Sequence, residues 1–137
     1  MLHQIITAST PYIKSLIKVA NATDTHHIQC SALWDTGASC CAISPQIVKD
    51  LELPHICDRI VSGIGTSGKQ TRFFLLNFEL EDGTKFMTLA AEEPSLTHCH
   101  CILGMDIIRQ GDWLLKYDED KYTFSFNVNH PKHGIEL

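Results

Sequence analysis

No apolar run in the 137-residue chain approaches the roughly 20 residues that a membrane-spanning helix needs, so no helical membrane anchor is expected. Basic residues are scarce and scattered. Lys and Arg total 11 against 16 Asp and Glu, the net charge is −5 and the pI is about 5.8. An acidic balance without a basic patch argues against nucleic acid as a direct partner. The first residues lack a basic segment followed by an unbroken apolar one, so no export signal is expected and the expected location is cytoplasmic. Internal repeats and low-complexity tracts are also missing, which leaves no sign of a solenoid or a long linker. Six cysteines are present, at 30, 40, 41, 57, 99 and 101, but without export they read as reduced and mostly packed. Asn21-Ala22-Thr23 fits a glycosylation acceptor and is expected to stay idle for the same reason.

Hydrophobic residues make up 44% of the chain, enough for a packed core and too many for disorder. The length suits one domain, not two. Within it, Leu33-Trp34-Asp35-Thr36-Gly37-Ala38-Ser39 stands out. An apolar strand leads into it and a second apolar run, Cys40-Cys41-Ala42-Ile43, leads out. A carboxyl between two buried strands is costly unless it is hydrogen-bonded or serves chemistry. Gly37 lets the backbone turn tightly beneath that carboxyl, and the N–H groups of the turn are placed to hold it.

Around this stretch the pattern predicts many short strands. Leu2 to Ala8 is a first apolar segment, broken by Ser9-Thr10-Pro11. Tyr12 to Ala20 and residues 26–34 form a hairpin around Asn21-Ala22-Thr23-Asp24. Ser44-Pro45 starts a short helix with an N-cap serine and proline at its first position, and Pro54 stops it. Arg59 to Gln70 becomes glycine-rich, as a hairpin does. Arg72 to Leu80 and Lys85 to Ala91 pair across Glu81-Asp82-Gly83-Thr84. Leu96 to Leu103 is a further strand, Met105 to Gln110 a second short helix, and Trp113 to Tyr117 with Tyr122 to Phe126 a last hairpin. The expected fold is all-β, a closed or partly closed barrel with one or two short helices.

Asp35-Thr36-Gly37-Ala38-Ser39 between two apolar strands resembles the active-site loop of retropepsin-like aspartic proteases, the single-domain relatives of pepsin. Ile102-Leu103-Gly104 followed by Met105-Asp106-Ile107-Ile108 is similar to the apolar-apolar-glycine signature that this family places before its C-terminal helix. Between them, Val61-Ser62-Gly63-Ile64-Gly65-Thr66-Ser67-Gly68 looks like the family's glycine-rich flap. The resemblance covers residues 12–127, leaving 1–11 as an N-terminal segment and 128–137 as a tail.

The resemblance implies an aspartic endopeptidase that uses water, with no metal and no cofactor. Pepsin-type enzymes carry two aspartates from two similar lobes, whereas this chain has one Asp-Thr-Gly and the length of one lobe. The second carboxyl must then come from a second copy in a two-fold homodimer. Two carboxyls in hydrogen-bonding distance share one proton; one takes a proton from water while the other donates to the peptide carbonyl. Asp35 of each subunit would fill both roles, Thr36 would brace the pair across the axis, and Gly37 would permit close approach. Pepsin-like enzymes often have Ser or Thr where Ala38 stands. Without that hydroxyl the pair is expected to work at about pH 5–6, with Ser39 able to restore part of the lost bond. Gly63, Ile64, Gly65 and Thr66 would close over an extended peptide or protein substrate, and Ile102, Leu103 and Gly104 would support the catalytic loop. The viral pattern of interleaved terminal strands is not matched, since Val128-Asn129-His130-Pro131 is polar and broken by proline.

Two other classes compete. One is a catalytically silent module of the same fold that dimerises or holds peptides. The other is a metal or redox sensor built on the cysteines. His98-Cys99-His100-Cys101 has metal-capable side chains, but on a strand the two cysteines share one face and the two histidines the other. It also lacks the two-residue gap of zinc knuckles and a matching second pair.

Overall fold

The computed structural model describes residues 1–7, 9–62, 68–96 and 99–128. In chain order the elements are β1 (Leu2–Thr7), β2 (Lys14–Asn21), β3 (His27–Trp34), β4 (Ala42–Ile43), α1 (Pro45–Asp50) and β5 (His55–Val61). They continue with β6 (Lys69–Glu79), β7 (Lys85–Glu92), β8 (Cys101–Leu103), α2 (Met105–Ile108), β9 (Asp112–Asp118) and β10 (Lys121–Asn127). Strands β2-β3-β8-β4-β7-β6 neighbour one another in that order, and β6 pairs back onto β2 through Leu76–Glu79 against Lys18–Asn21. The result is a closed six-stranded barrel, with β5 attached outside β6. An all-β barrel with two short helices is the expected architecture.

Alternation along the strands fills the barrel. Cys30, Ala32 and Trp34 of β3 face inward, as do Phe74, Leu76 and Phe78 of β6. A second sheet, β1-β10-β9, lays Leu2, Ile6, Tyr122, Phe124 and Phe126 against the same core. Each fully buried aromatic or aliphatic side chain there contributes about 1.5–3 kcal/mol from area alone. The Trp34 ring centroid lies 5.2 Å from that of Phe124 and 5.0 Å from that of Phe126, so the two sheets meet directly behind the residue that precedes Asp35. Helix α1 begins as read: Ser44 caps it by accepting from Ile47 N at 3.4 Å, Pro45 is its first residue, and Ile47 and Leu51 are buried.

Leu2–Thr7, read from the sequence only as an apolar segment, pairs antiparallel with β10 along its whole length. Two local expectations differ from the structure. Strand β8 covers Cys101–Leu103 only, so an alternating strand from Leu96 is corrected. Its partner β4 is two residues long and gives way to α1, and the ladder ends where Ser44 N donates to His100 O. Cys99 therefore stands outside the strand, and the two-face argument for His98–Cys101 does not apply as a strand argument. Helix α2 is also one turn, not the six residues expected.

Candidate active site

The loop after β3 is held from behind before it turns. Trp34 is buried, its N donates to Ile13 O at 2.9 Å, and its indole Nε1 donates to the buried Ser15 hydroxyl at 2.8 Å. Ser15 in turn bonds to Gln4 Oε1, and Gln4 Nε2 reaches Lys14 O, which ties β1 into the base of the loop. One residue on, Asp35 N donates to Leu103 O at 2.9 Å. Asp35 is half-buried, with Oδ1 accepting from Gly37 N at 2.8 Å and its carbonyl accepting from Ala38 N at 3.2 Å. The carboxylate is thus oriented by its own turn, as an Asx-type bond orients it. Thr36, Gly37 and Ser39 are exposed and Ala38 is half-buried.

Strand β8 lies between β3 and β4, parallel to the first and antiparallel to the second. The two strands that bracket the Asp35 loop are therefore separated by a third, and the loop bridges over its end. Leu103 and Gly104 are buried there, with Ile102 half-buried. A Cβ on Gly104 would stand 2.6 Å from Cys40 O and 2.8 Å from Ala38 O, so only glycine fits. Met105 N donates to Ala38 O at 2.8 Å and completes the attachment of α2 to the loop. Leu103 and Gly104 thus meet the Asp35 loop through the backbone, while Ile102 pairs with Leu33 and Ala42 in the strands on either side.

One residue that the sequence reading passed over does as much. Asp106 accepts from Cys41 N at 3.0 Å, from Cys41 Sγ at 3.2 Å and from Ile107 N at 3.0 Å. It pins the return limb of the loop to the start of α2. Its one sequence signal is an acidic side chain in the first turn of a helix whose N-cap, Gly104, has no side chain to offer. Burial, then the Asp106 carboxylate, push the Cys40 and Cys41 thiols up, so both are held protonated.

Two open depressions, each about 340 Å³, flank the loop. One runs past Tyr12, Leu33, Asp35, Thr36 and Trp113; the other past Thr36, Ser39, Met105 and Arg109. Trp113 Nε1, in the wall of the first, is buried without a hydrogen-bond partner among the described residues. Gly63, Ile64, Gly65 and Thr66 lie outside the described residues, as do His98, His130 and His133. Among the described residues no group of three or more His, Cys, Asp or Glu is placed to hold a metal ion, and no helix is long and apolar enough to cross a membrane.

This fold has a counterpart among solved structures. A retropepsin-like aspartic protease from Rickettsia conorii superposes with a TM-score of 0.59 at 15% identity, over 90% of this chain and 89% of that one. The fold is retropepsin-like. EIAV protease, solved in complex with the inhibitor HBY-793, also matches, with a TM-score of 0.45, 21% identity, and coverage of 74% of this chain and 88% of that one. No protein-family model and no curated protein matches the sequence.

Proposed function

We propose that the chain is an aspartic endopeptidase whose active site forms between two copies, one Asp35 from each. The observation that carries this reading is Asp35 itself. It is a half-exposed carboxylate fixed by Gly37 N, on a loop clamped to β8 and α2, in a retropepsin-like barrel. Such clamping is unnecessary for a surface carboxylate and necessary for a group that must hold its geometry during proton transfer. One Asp35 alone cannot act as acid and base at once. A second, brought to it by two-fold symmetry, shares its proton, and the mixed state both activates water and polarises the scissile carbonyl. Thr36, exposed next to Asp35, meets its counterpart across the axis, and Gly37 leaves room for the approach. Residues 63–66 form the flap over an extended peptide, and the depression past Tyr12, Leu33 and Trp113 takes side chains beside the cut.

The test is cleavage of a mixed peptide library at several pH values by wild type and Asp35→Asn, with oligomeric state measured alongside. Cleavage is expected to peak below neutrality, to be lost in the variant, and to require the dimer. A well-folded dimer that cuts nothing across that range overturns the enzyme reading in favour of a peptide-binding module.

A further inference from the structure

A run of polar side chains crosses the core and ends on the residue behind Asp35. Leu2, Gln4 and Ile6 share the face of β1 that packs on the barrel, and of the three only Gln4 is polar. Burying an amide there is costly unless it is bonded. Its Nε2 donates to Lys14 O at 2.8 Å, and its Oε1 accepts from the Ser15 hydroxyl. Ser15 is 3% exposed, and its oxygen in turn accepts from Trp34 Nε1 at 2.8 Å. One hydroxyl of β2 is thus donor to β1 and acceptor from β3, which fixes its rotation. The other buried serine, Ser44, caps α1. Phe124, the register partner of Gln4, and Phe126 press on the same indole. The terminal sheet therefore holds Trp34 twice. Apolar contact tolerates sliding, whereas the hydrogen bond is directional and sets one orientation of the ring. A rigid peptide plane then carries any shift of Trp34 on to Asp35.

We propose that Ser15 is a positioning residue for Asp35: by joining Gln4 to the Trp34 indole, it fixes how closely the Asp35 carboxyl approaches its counterpart in the second copy. This role rests on Asp35 being the reacting carboxyl. Two carboxyls held close titrate far apart, because the second must ionise against the first. A loosened loop lets them separate, and the two apparent pKa values draw together. Water attack needs the singly protonated pair, so the pH range of activity narrows from both sides. Neither Ser15 nor Gln4 lines the depressions beside the loop, so the loss falls on kcat rather than on KM.

Full-length wild type, Ser15→Ala, Trp34→Phe and the double variant are compared by peptide cleavage across pH, beside Ser44→Ala as the same deletion at the helix cap. Ser15→Ala is expected to lower kcat about tenfold or more, with KM little changed and a narrower pH profile. Trp34→Phe keeps a ring in place but removes the N–H, and is expected to act in the same way. The double variant is expected to be no worse than either single one, because both delete one bond. Ser44→Ala is expected to lower the melting temperature and leave the profile where it was. Amide spectra give a readout that needs no cleavage: the Gly37 and Ala38 resonances are expected to move in Ser15→Ala and to stay in Ser44→Ala. A wild type that cuts nothing overturns the endopeptidase reading, and those resonances then decide alone whether Ser15 positions the loop. Should Ser15→Ala not fold, Trp34→Phe carries the same test. A wild-type kcat, a loss of kcat with an unmoved profile, additive losses in the double variant, or unmoved Gly37 and Ala38 resonances overturns the proposal.

Discussion

Deleting the Asp106 carboxylate removes three hydrogen bonds at once, from Cys41 N, Cys41 Sγ and Ile107 N. Asp106→Ala leaves the Cys41 N–H without its acceptor, which costs about 1–3 kcal/mol in urea unfolding. Asp106→Asn, which keeps one acceptor oxygen, is expected to recover part of that loss. Glu93 makes a different test, since its gain depends on pH. Its carboxylate accepts from Ser95 Oγ at 2.7 Å and Ser95 N at 3.0 Å, and these bonds hold its pKa below the usual carboxylate range. A lowered folded-state pKa contributes stability above the unfolded value and loses it as pH falls through the folded one. Wild type is therefore expected to be more stable than Glu93→Gln at neutral pH. The difference should close below about pH 4, read as denaturation midpoints across a pH series.

At the scale of elements, β8 and Gly104 matter more than their length suggests. A methyl group at Gly104 must displace the Ala38 and Cys40 carbonyls, which are backbone and cannot swing aside. Gly104→Ala is expected to cost about 3 kcal/mol or more, and to move the Asp35 loop even where the barrel survives. Chemical-shift changes concentrated on residues 35–41 would check the second part. Gly104 was legible in the sequence as part of an apolar-apolar-glycine word, and so was Asp35. The strands from Lys85, Trp113 and Tyr122 were legible because alternation is local and their turn at Asp118–Lys121 or Glu81–Thr84 carries its own chemistry. What could not be read was set by partners far away in the chain. β1 is a strand because β10, over a hundred residues later, pairs with it. β8 is short because β4 ends, and Asp106 is a clamp because Cys41 lies opposite. No local pattern encodes any of these three.

For the whole molecule, the proposed site needs one carboxyl from each of two chains, and this can be tested without knowing the dimer interface. If the site forms between copies, wild type mixed with Asp35→Asn partitions into three kinds of pair, and only wild-type pairs carry two carboxyls. A wild-type chain finds a wild-type partner in proportion to their share of the mixture. Total cleavage at fixed wild-type concentration is then expected to fall to about half with an equal amount of variant, and to about a tenth with a nine-fold excess, once subunits have exchanged. A site complete within one chain gives no such loss, because the variant only adds inert protein. The same logic fixes the concentration dependence. Dilution below the dimer dissociation constant should lower activity per chain in proportion to the pairs remaining, and wild type added back should restore it where Asp35→Asn does not. Loss on mixing, together with loss on dilution, places the second carboxyl in the second copy. Loss on dilution without loss on mixing requires only that dimerisation stabilises a site already whole.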